Sequence, residues 1–154
     1  MSKSFDEILA KLKTASTKKL AVAVAQDTPV LEAVKAAKDK GIADAILVGD
    51  QKKIEEVAKG LNMDLSGFEI IDVEDMEEAA TRAVKLVHDG DADIYMKGAL
   101  DSKTFLRSVL NKEVGLRTGR PLSHVCVFEI PGIDRLLFLT DVAFMPYPTL
   151  EDKK

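Results

Sequence analysis

The segment from Ile94 to Leu110, IYMKGALDSKTFLRSVL, places basic and hydroxyl side chains where a short apolar run gives way to an amphipathic stretch. Its residues suited to binding an anion are Lys97, Gly98, Ser102, Lys103 and Arg107. Glycine admits a ligand close to the backbone, free N–H groups in a helix's first turn attract negative charge, and lysine and arginine pair with phosphate. The pattern predicts an anion site at a strand-to-helix junction. The alternative is a capped helix with solvated lysines, and Arg107 faces the ligand only if the helix axis is suitably tilted.

A second basic segment, GLRTGRPLSH, runs from Gly115 to His124 and combines two glycines, two arginines and a proline. Such a stiff loop suits phosphate through residues such as Arg117, because a guanidinium binds phosphate through two parallel hydrogen bonds. The alternative is a solvent-facing connection. His124 opens a strand, where a histidine is either a hydrogen-bonded edge residue or a catalyst.

Asp141 interrupts the apolar strand LLFLTDVAF. A buried carboxylate must be paired or hydrogen-bonded, so it needs a partner such as Lys97, Arg117 or a backbone amide. The alternative is a strand that has already reached solvent at Thr140.

Composition and missing motifs exclude several classes of protein. The net charge of −4 over 154 residues gives no generic affinity for nucleic acid or an anionic membrane. One cysteine, Cys126, and two histidines leave no zinc pattern, and no metal site is expected. The P-loop, GxGxxG and GxSxG motifs are absent, which argues against a nicotinamide dehydrogenase or a serine hydrolase. The charged N-terminus lacks the apolar core of a secretory signal, so a cytoplasmic protein is expected.

Four apolar segments alternate with amphipathic ones, which predicts βα units and a mainly parallel sheet. The predicted strands are KLAVAVA (19–25), DAILVGD (44–50), FEIIDV (68–73) and ADIYM (92–96). Predicted helices follow each strand, and one helix capped by Ser4 precedes them. HVCVFEI (124–130) and RLLFLTDVAF (135–144) flank a Pro-Gly turn, so an antiparallel hairpin is expected to extend the sheet. The expected fold is a three-layer αβα domain with a C-terminal antiparallel hairpin.

An ordered series of fragments resembles the phosphate acetyl/butyryl transferase family, and is closest to its phosphate butyryltransferase branch. The fragments are ILVGD, ADIYMKGALDSKTFLRSVL, GLRTG, LSHVCVFEIPG and LLFLTDVAFMPYPTLEDK. They cover nearly the whole chain, and their order is specific where each fragment alone is not.

The resemblance implies reversible transfer of a short acyl group between coenzyme A and inorganic phosphate, both as substrates, with no tightly bound cofactor. It also implies a homo-oligomer, with a dimer expected. By position, Lys97, Gly98 and the helix start from Ser102 to Arg107 line the family's cleft. Arg107 matches an arginine implicated in binding the substrate anion. Arg117, Ser123, His124 and Asp141 fall at family motif positions near the cleft.

The chain departs from the family pattern at Met145, where an asparagine is usual. The resemblance also leads us to expect a second domain after the Pro-Thr-Leu segment, which residues 1–154 do not include. The expected organisation is therefore a phosphate-side α/β domain over residues 1–142 and a tail or linker over residues 143–154. The leading hypothesis is the N-terminal domain of a butyryl-type phosphate acyltransferase. The alternative is a non-catalytic anion-binding or oligomerisation module derived from that family.

Overall fold

The structure is a computed structural model that describes residues 3–12, 14–141, 143–145 and 147–153. Its contacts divide the chain into two compact units. The sheet unit spans Ser16–Arg117, and the hairpin unit combines Met1–Ala15 with Thr118–Lys154. Among the described residues, no helix is long and apolar enough to span a bilayer.

The sheet unit follows the predicted alternation of strands and helices. Its strands are β1 (Lys18–Ala23), β2 (Ala43–Gly49), β3 (Glu69–Asp72) and β4 (Ile94–Lys97). Its helices are α2 (Thr28–Asp39), α3 (Gln51–Gly60), α4 (Met76–Asp89) and α5 (Ser102–Val109), and the hairpin unit holds α1 (Phe5–Leu12). All strand pairs in this unit are parallel, in the order β3-β2-β1-β4.

Both faces of the central strands are buried, which explains their continuous apolar sequences. Successive side chains of a strand point to opposite faces. Ala21 and Ala23 accordingly pack with α4 in one core cluster, whereas Val22 packs in the other with Leu31 of α2 and Ile54 of α3. The three-layer αβα architecture is therefore confirmed.

Helix ends match the signals in the sequence. Asp75 caps α4 by accepting a hydrogen bond from the backbone N–H of Glu78 at 2.8 Å. At the other end Gly90 adopts a left-handed φ of 87°, a conformation that glycine takes at little cost. Asp50 caps α3 in the same way, through the N–H of Lys53 at 3.1 Å. The two aspartate caps fix where α3 and α4 start relative to the sheet.

The hairpin unit contains α1 and an antiparallel pair, β5 (Val125–Phe128) and β6 (Leu137–Thr140). The expectation that this pair extends the main sheet is wrong, because in the described part of the chain β5 and β6 form a separate two-stranded sheet. The predicted second strand also ran too far: β6 ends at Thr140, and Val142 lies outside the described residues. The predicted Ser4 cap is present, since its Oγ accepts from the N–H of Glu7 at 3.2 Å.

Candidate functional site

The strand order reverses between β1 and β4, and open parallel sheets bind ligands beyond the carboxyl ends of strands at such a point. Here the segments that end β1 and follow β4 remain hydrogen-bonded to each other. The N–H of Gly98 donates to the carbonyl of Ala23 at 2.8 Å, and that of Ala99 to Val24 at 2.9 Å. A Cβ on Gly98 would lie 2.2 Å from the carbonyl oxygen of Val24. Glycine is therefore required here by the backbone after β1, and its approach to a ligand stays a prediction.

Val24 itself adopts an unusual backbone conformation at this point. Its φ is 55°, and the residue is 1% exposed. A β-branched residue in the left-handed region is strained, and such strain persists only where surrounding structure imposes it. The packing and the bond from Ala99 supply that constraint, so the chain leaves β1 in one fixed direction.

The loop after β4 uses its polar groups on itself. The ammonium of Lys97, whose side chain is exposed, donates to the carbonyl of Leu100. Asp101 caps α5 by accepting from the N–H of Thr104 at 3.0 Å. Hydrogen bonds from the side chain and the backbone of Thr104 hold the pKa of Asp101 below its ordinary value. A carboxylate thus lies at the helix start where an anion was expected, and the exposed Ser102 and Lys103 follow it in the first turn of the helix.

A polar hollow of about 210 Å³ lies between α4 and α5. Its lining residues are Glu77, Thr81, Thr104, Arg107, Ser108 and Asn111. The α5 contributors Thr104, Arg107 and Ser108 are spaced by three and four residues, so they share one helix face, and Asn111 follows the end of the helix. Arg107 Nη1 lies 3.0 Å from Glu77 Oε1, and the side chains are 58% and 67% exposed. Lys97 is not among the lining residues, so this hollow does not join it to Arg107.

A small network under the hollow fixes α5 against the sheet. The Tyr95 hydroxyl contacts the Ser108 hydroxyl at 2.8 Å and donates to the carbonyl of Ala80 at 3.2 Å. The rings of Tyr95 and Phe105 stack with centroids 4.7 Å apart. Burial raises the pKa of Tyr95, against a smaller opposite effect of Ser108, so the phenol stays neutral at physiological pH. Arg107 therefore projects from a helix that is held on its inner side.

Arg117 is exposed at the end of the sheet unit and does not line the hollow at Arg107. The loop before it is packed closely. A Cβ on Gly115 would lie 2.4 Å from the carbonyl oxygen of Asn111, and the Gly115 carbonyl lies 2.9 Å from His88 Nδ1. The start of the predicted basic loop thus has a packing role, and binding by Arg117 stays a prediction.

The hairpin unit brings two of the candidate residues, Ser123 and Asp141, to one hollow of about 500 Å³. Met145, which stands where the family usually has asparagine, also lines it. The Asp141 carboxylate accepts hydrogen bonds from backbone N–H groups, from His124 at 2.8 Å, Ala143 at 2.6 Å and Phe144 at 2.8 Å. The sequence analysis expected Lys97, Arg117 or a backbone amide as the partner of Asp141, and these bonds come from backbone amides.

Asp141 keeps its charge because of these amides. Burial raises the pKa of Asp141, but the backbone hydrogen bonds together outweigh burial and bring the pKa below its ordinary value. The His124 side chain lies against its neighbours: Cys126 Sγ is 3.7 Å from Nδ1, and the Phe144 ring meets the imidazole edge-on at 6.0 Å. Asp141 and His124 thus shape the turn after β6.

We expect replacement of Asp141 by asparagine to destabilise the chain in a pH-dependent way. A carboxyl with a lowered folded-state pKa contributes stability that is present above its ordinary value of 3.8 and is lost as the pH falls through the folded-state pKa. Urea midpoints of the wild-type chain and D141N should therefore differ most at neutral pH and converge below about pH 4. A difference that is constant with pH would contradict a charged Asp141.

Of the residues that line the α4–α5 hollow, sequence reasoning singled out Arg107 and missed Glu77, Thr81, Thr104, Ser108 and Asn111. The helical spacing of Thr104, Arg107 and Ser108 could have indicated a shared face, but Glu77 lies thirty residues before Arg107 and only the fold reveals it. Among the residues that the structure describes, no group of three or more histidine, cysteine or carboxylate side chains is arranged to hold a metal ion.

A parallel sheet in the order β3-β2-β1-β4, covered by helices on both faces, defines an α/β protein of the doubly wound class. The sequence profile of the family described as phosphate acetyl/butaryl transferase matches residues 4–82 and 74–154. The chain belongs to this family.

Individual relatives agree with the family match. The chain is 62% identical to a phosphate butyryltransferase of Clostridium beijerinckii over 99% of its own length and 51% of that protein. It is 60% identical to a phosphate butyryltransferase of Clostridium acetobutylicum over the same shares. A branched-chain phosphotransacylase structure from Enterococcus faecalis superposes with a TM-score of 0.66 at 26% identity, over 89% of this chain and 46% of that one. The chain thus spans about half the length of the curated relatives it matches.

Proposed function

We propose that the chain contributes the phosphate-binding side of a phosphate acyltransferase of the butyryl type. The observation that carries the proposal is the identity of 62% and 60% to two phosphate butyryltransferases over nearly all of this chain. The substrates on this proposal are small molecules, a short-chain acyl-coenzyme A and inorganic phosphate. The cytoplasmic location, the dimer and the division at residue 142 stay predictions.

The proposed reaction needs charge and positioning rather than a covalent intermediate on the protein. A phosphate oxygen attacks the thioester carbonyl carbon, the carbon–sulfur bond breaks, and the coenzyme A thiolate leaves and takes up a proton. Phosphate is already deprotonated at neutral pH, so a base is needed for the thiol only in the reverse direction. The protein must hold a multiply charged nucleophile against the thioester, which requires cations and hydrogen-bond donors in fixed positions.

Arg107 is the cation that the geometry favours for this task. It lines a hollow together with the side-chain amide of Asn111, a group that donates hydrogen bonds to phosphate oxygens. The hydroxyls of Thr81 and Thr104 also line the hollow, where they donate to the Glu77 carbonyl and to the Asp101 carboxylate. The remaining candidates are proposed to contact substrate on the family resemblance: Lys97, Gly98, Ser102, Lys103, Arg117, Ser123, His124 and Asp141.

The test is release of free thiol from butyryl-coenzyme A, with and without phosphate, by two proteins. One is the chain alone, and the other is the chain joined to the remaining half of the Clostridium beijerinckii enzyme. We expect phosphate-dependent thiol release from the joined protein, and little from the chain alone because a half-open site lets water compete with the charged groups.

The outcomes separate the two hypotheses. Full turnover by the chain alone would show that this half suffices. No thiol release by either protein would count against an enzyme. If phosphate still raised the melting temperature of the chain in that case, the non-catalytic anion-binding module would be favoured instead.

A further inference from the structure

The α4–α5 hollow contains a carboxylate that its proposed function does not use. Glu77 lies in the first turn of α4, and its Oε1 contacts the guanidinium of Arg107 at 3.0 Å. A carboxylate presents oxygens to a guanidinium in much the same geometry as a phosphate does. The group expected to bind phosphate is therefore already engaged by an oxygen anion of the protein itself.

We propose that Glu77 is an internal competitor of phosphate for Arg107, and so determines the affinity and selectivity of the anion site. The proposal rests on the proposed function, which places phosphate at Arg107. Phosphate must displace Glu77 from the guanidinium or bind beside its negative charge. Either route weakens binding, and the penalty is greater for a doubly charged phosphate than for a singly charged anion.

The exposure of the pair determines the size of the effect. With side chains 58% and 67% exposed, the ion pair is weak and exchanges readily. A weak pair lets phosphate compete at Arg107 at a modest cost in affinity. Glu77 would thus lower the affinity for phosphate without preventing phosphate from binding.

The first turn of α4 supplies its own control. Glu78 is the next residue, is exposed, and has the same charge near the positive end of the helix dipole. It does not line the hollow and does not contact Arg107. Glu77→Gln and Glu78→Gln therefore remove equal charge from the same helix turn, and only the first removes the partner of Arg107.

The experiment is titration of the chain with inorganic phosphate by calorimetry, for wild type, E77Q, E78Q, R107A and the E77Q/R107A double variant. We expect E77Q to lower the Kd for phosphate by about twofold to fivefold, the range of an exposed ion pair. E78Q should match wild type, and the gain of E77Q should shrink in high salt. In the R107A background, E77Q should bring no such gain.

Each outcome decides between the claims. Equal Kd values for E77Q and wild type, or equal gains in affinity for E77Q and E78Q, would overturn the competition. If R107A still weakened phosphate binding in that case, the proposed function would stand. If R107A binds phosphate as wild type does, or if no variant binds phosphate, the competition is also overturned. The acyl transfer is judged separately, by thiol release from the joined protein.

Discussion

Replacing Gly98 by alanine should destabilise the sheet unit more than a typical single substitution. The added Cβ would lie 2.2 Å from the carbonyl oxygen of Val24 and 2.6 Å from that of Ala23. Both are backbone atoms, so the clash cannot be relieved by a side-chain rotation. Relief requires β4 to separate from the end of β1, which breaks the bonds from the N–H groups of Gly98 and Ala99. Overpacking combined with lost buried hydrogen bonds predicts a cost of about 3 kcal/mol or more.

The measurement is the free energy of unfolding in urea, followed by circular dichroism. Gly60→Ala is the matched control, because Gly60 ends α3 and a Cβ there meets nothing within 4 Å. That variant should be as stable as wild type or slightly more so, since alanine restricts the unfolded chain. An unfolding midpoint for G98A equal to that of wild type would show that the junction between β1 and β4 is looser than the structure indicates.

The sequence predicted the sheet unit well because its signals are local. Apolar segments with buried faces, the Asp50 cap before α3 and the glycine after α4 each act within a few residues. The hairpin was also predicted from its Pro-Gly turn. Its placement in the main sheet was wrong, because a turn determines which strands pair with each other but not which edge they join.

The candidate site was only partly accessible from sequence. Lys97 and Gly98 were placed correctly at the end of β4, but their nearest partners are backbone groups: the Leu100 carbonyl for Lys97 and the residues after β1 for Gly98. Such contacts depend on how two segments of the chain approach each other in space, which the spacing of residues in the sequence does not reveal. The pairing of Arg107 with Glu77 likewise arises because α4 and α5 pack side by side.

Replacing Arg107 by alanine should raise the KM for phosphate of the joined protein by about tenfold to hundredfold. A hydrogen bond to a charged group contributes about 1.5–3 kcal/mol, and each 1.4 kcal/mol corresponds to a factor of ten. The KM for butyryl-coenzyme A should change much less, because the guanidinium is proposed to contact phosphate and not the thioester. Arg107→Lys should give a KM for phosphate between those of wild type and R107A, since lysine keeps the charge but loses the bidentate geometry.

Arg82→Ala is the control for loss of charge, because Arg82 is exposed on α4 and does not line the hollow. If R82A and R107A raised the KM for phosphate equally, the effect would be one of general electrostatic attraction and not of a site at Arg107. Circular dichroism melting of each variant separates binding from folding. The Tyr95–Ser108 network and the Tyr95–Phe105 stack hold α5 independently of the Arg107 side chain, so R107A should melt close to wild type. A loss of phosphate saturation at unchanged melting temperature would then be a direct consequence of removing one guanidinium from the hollow.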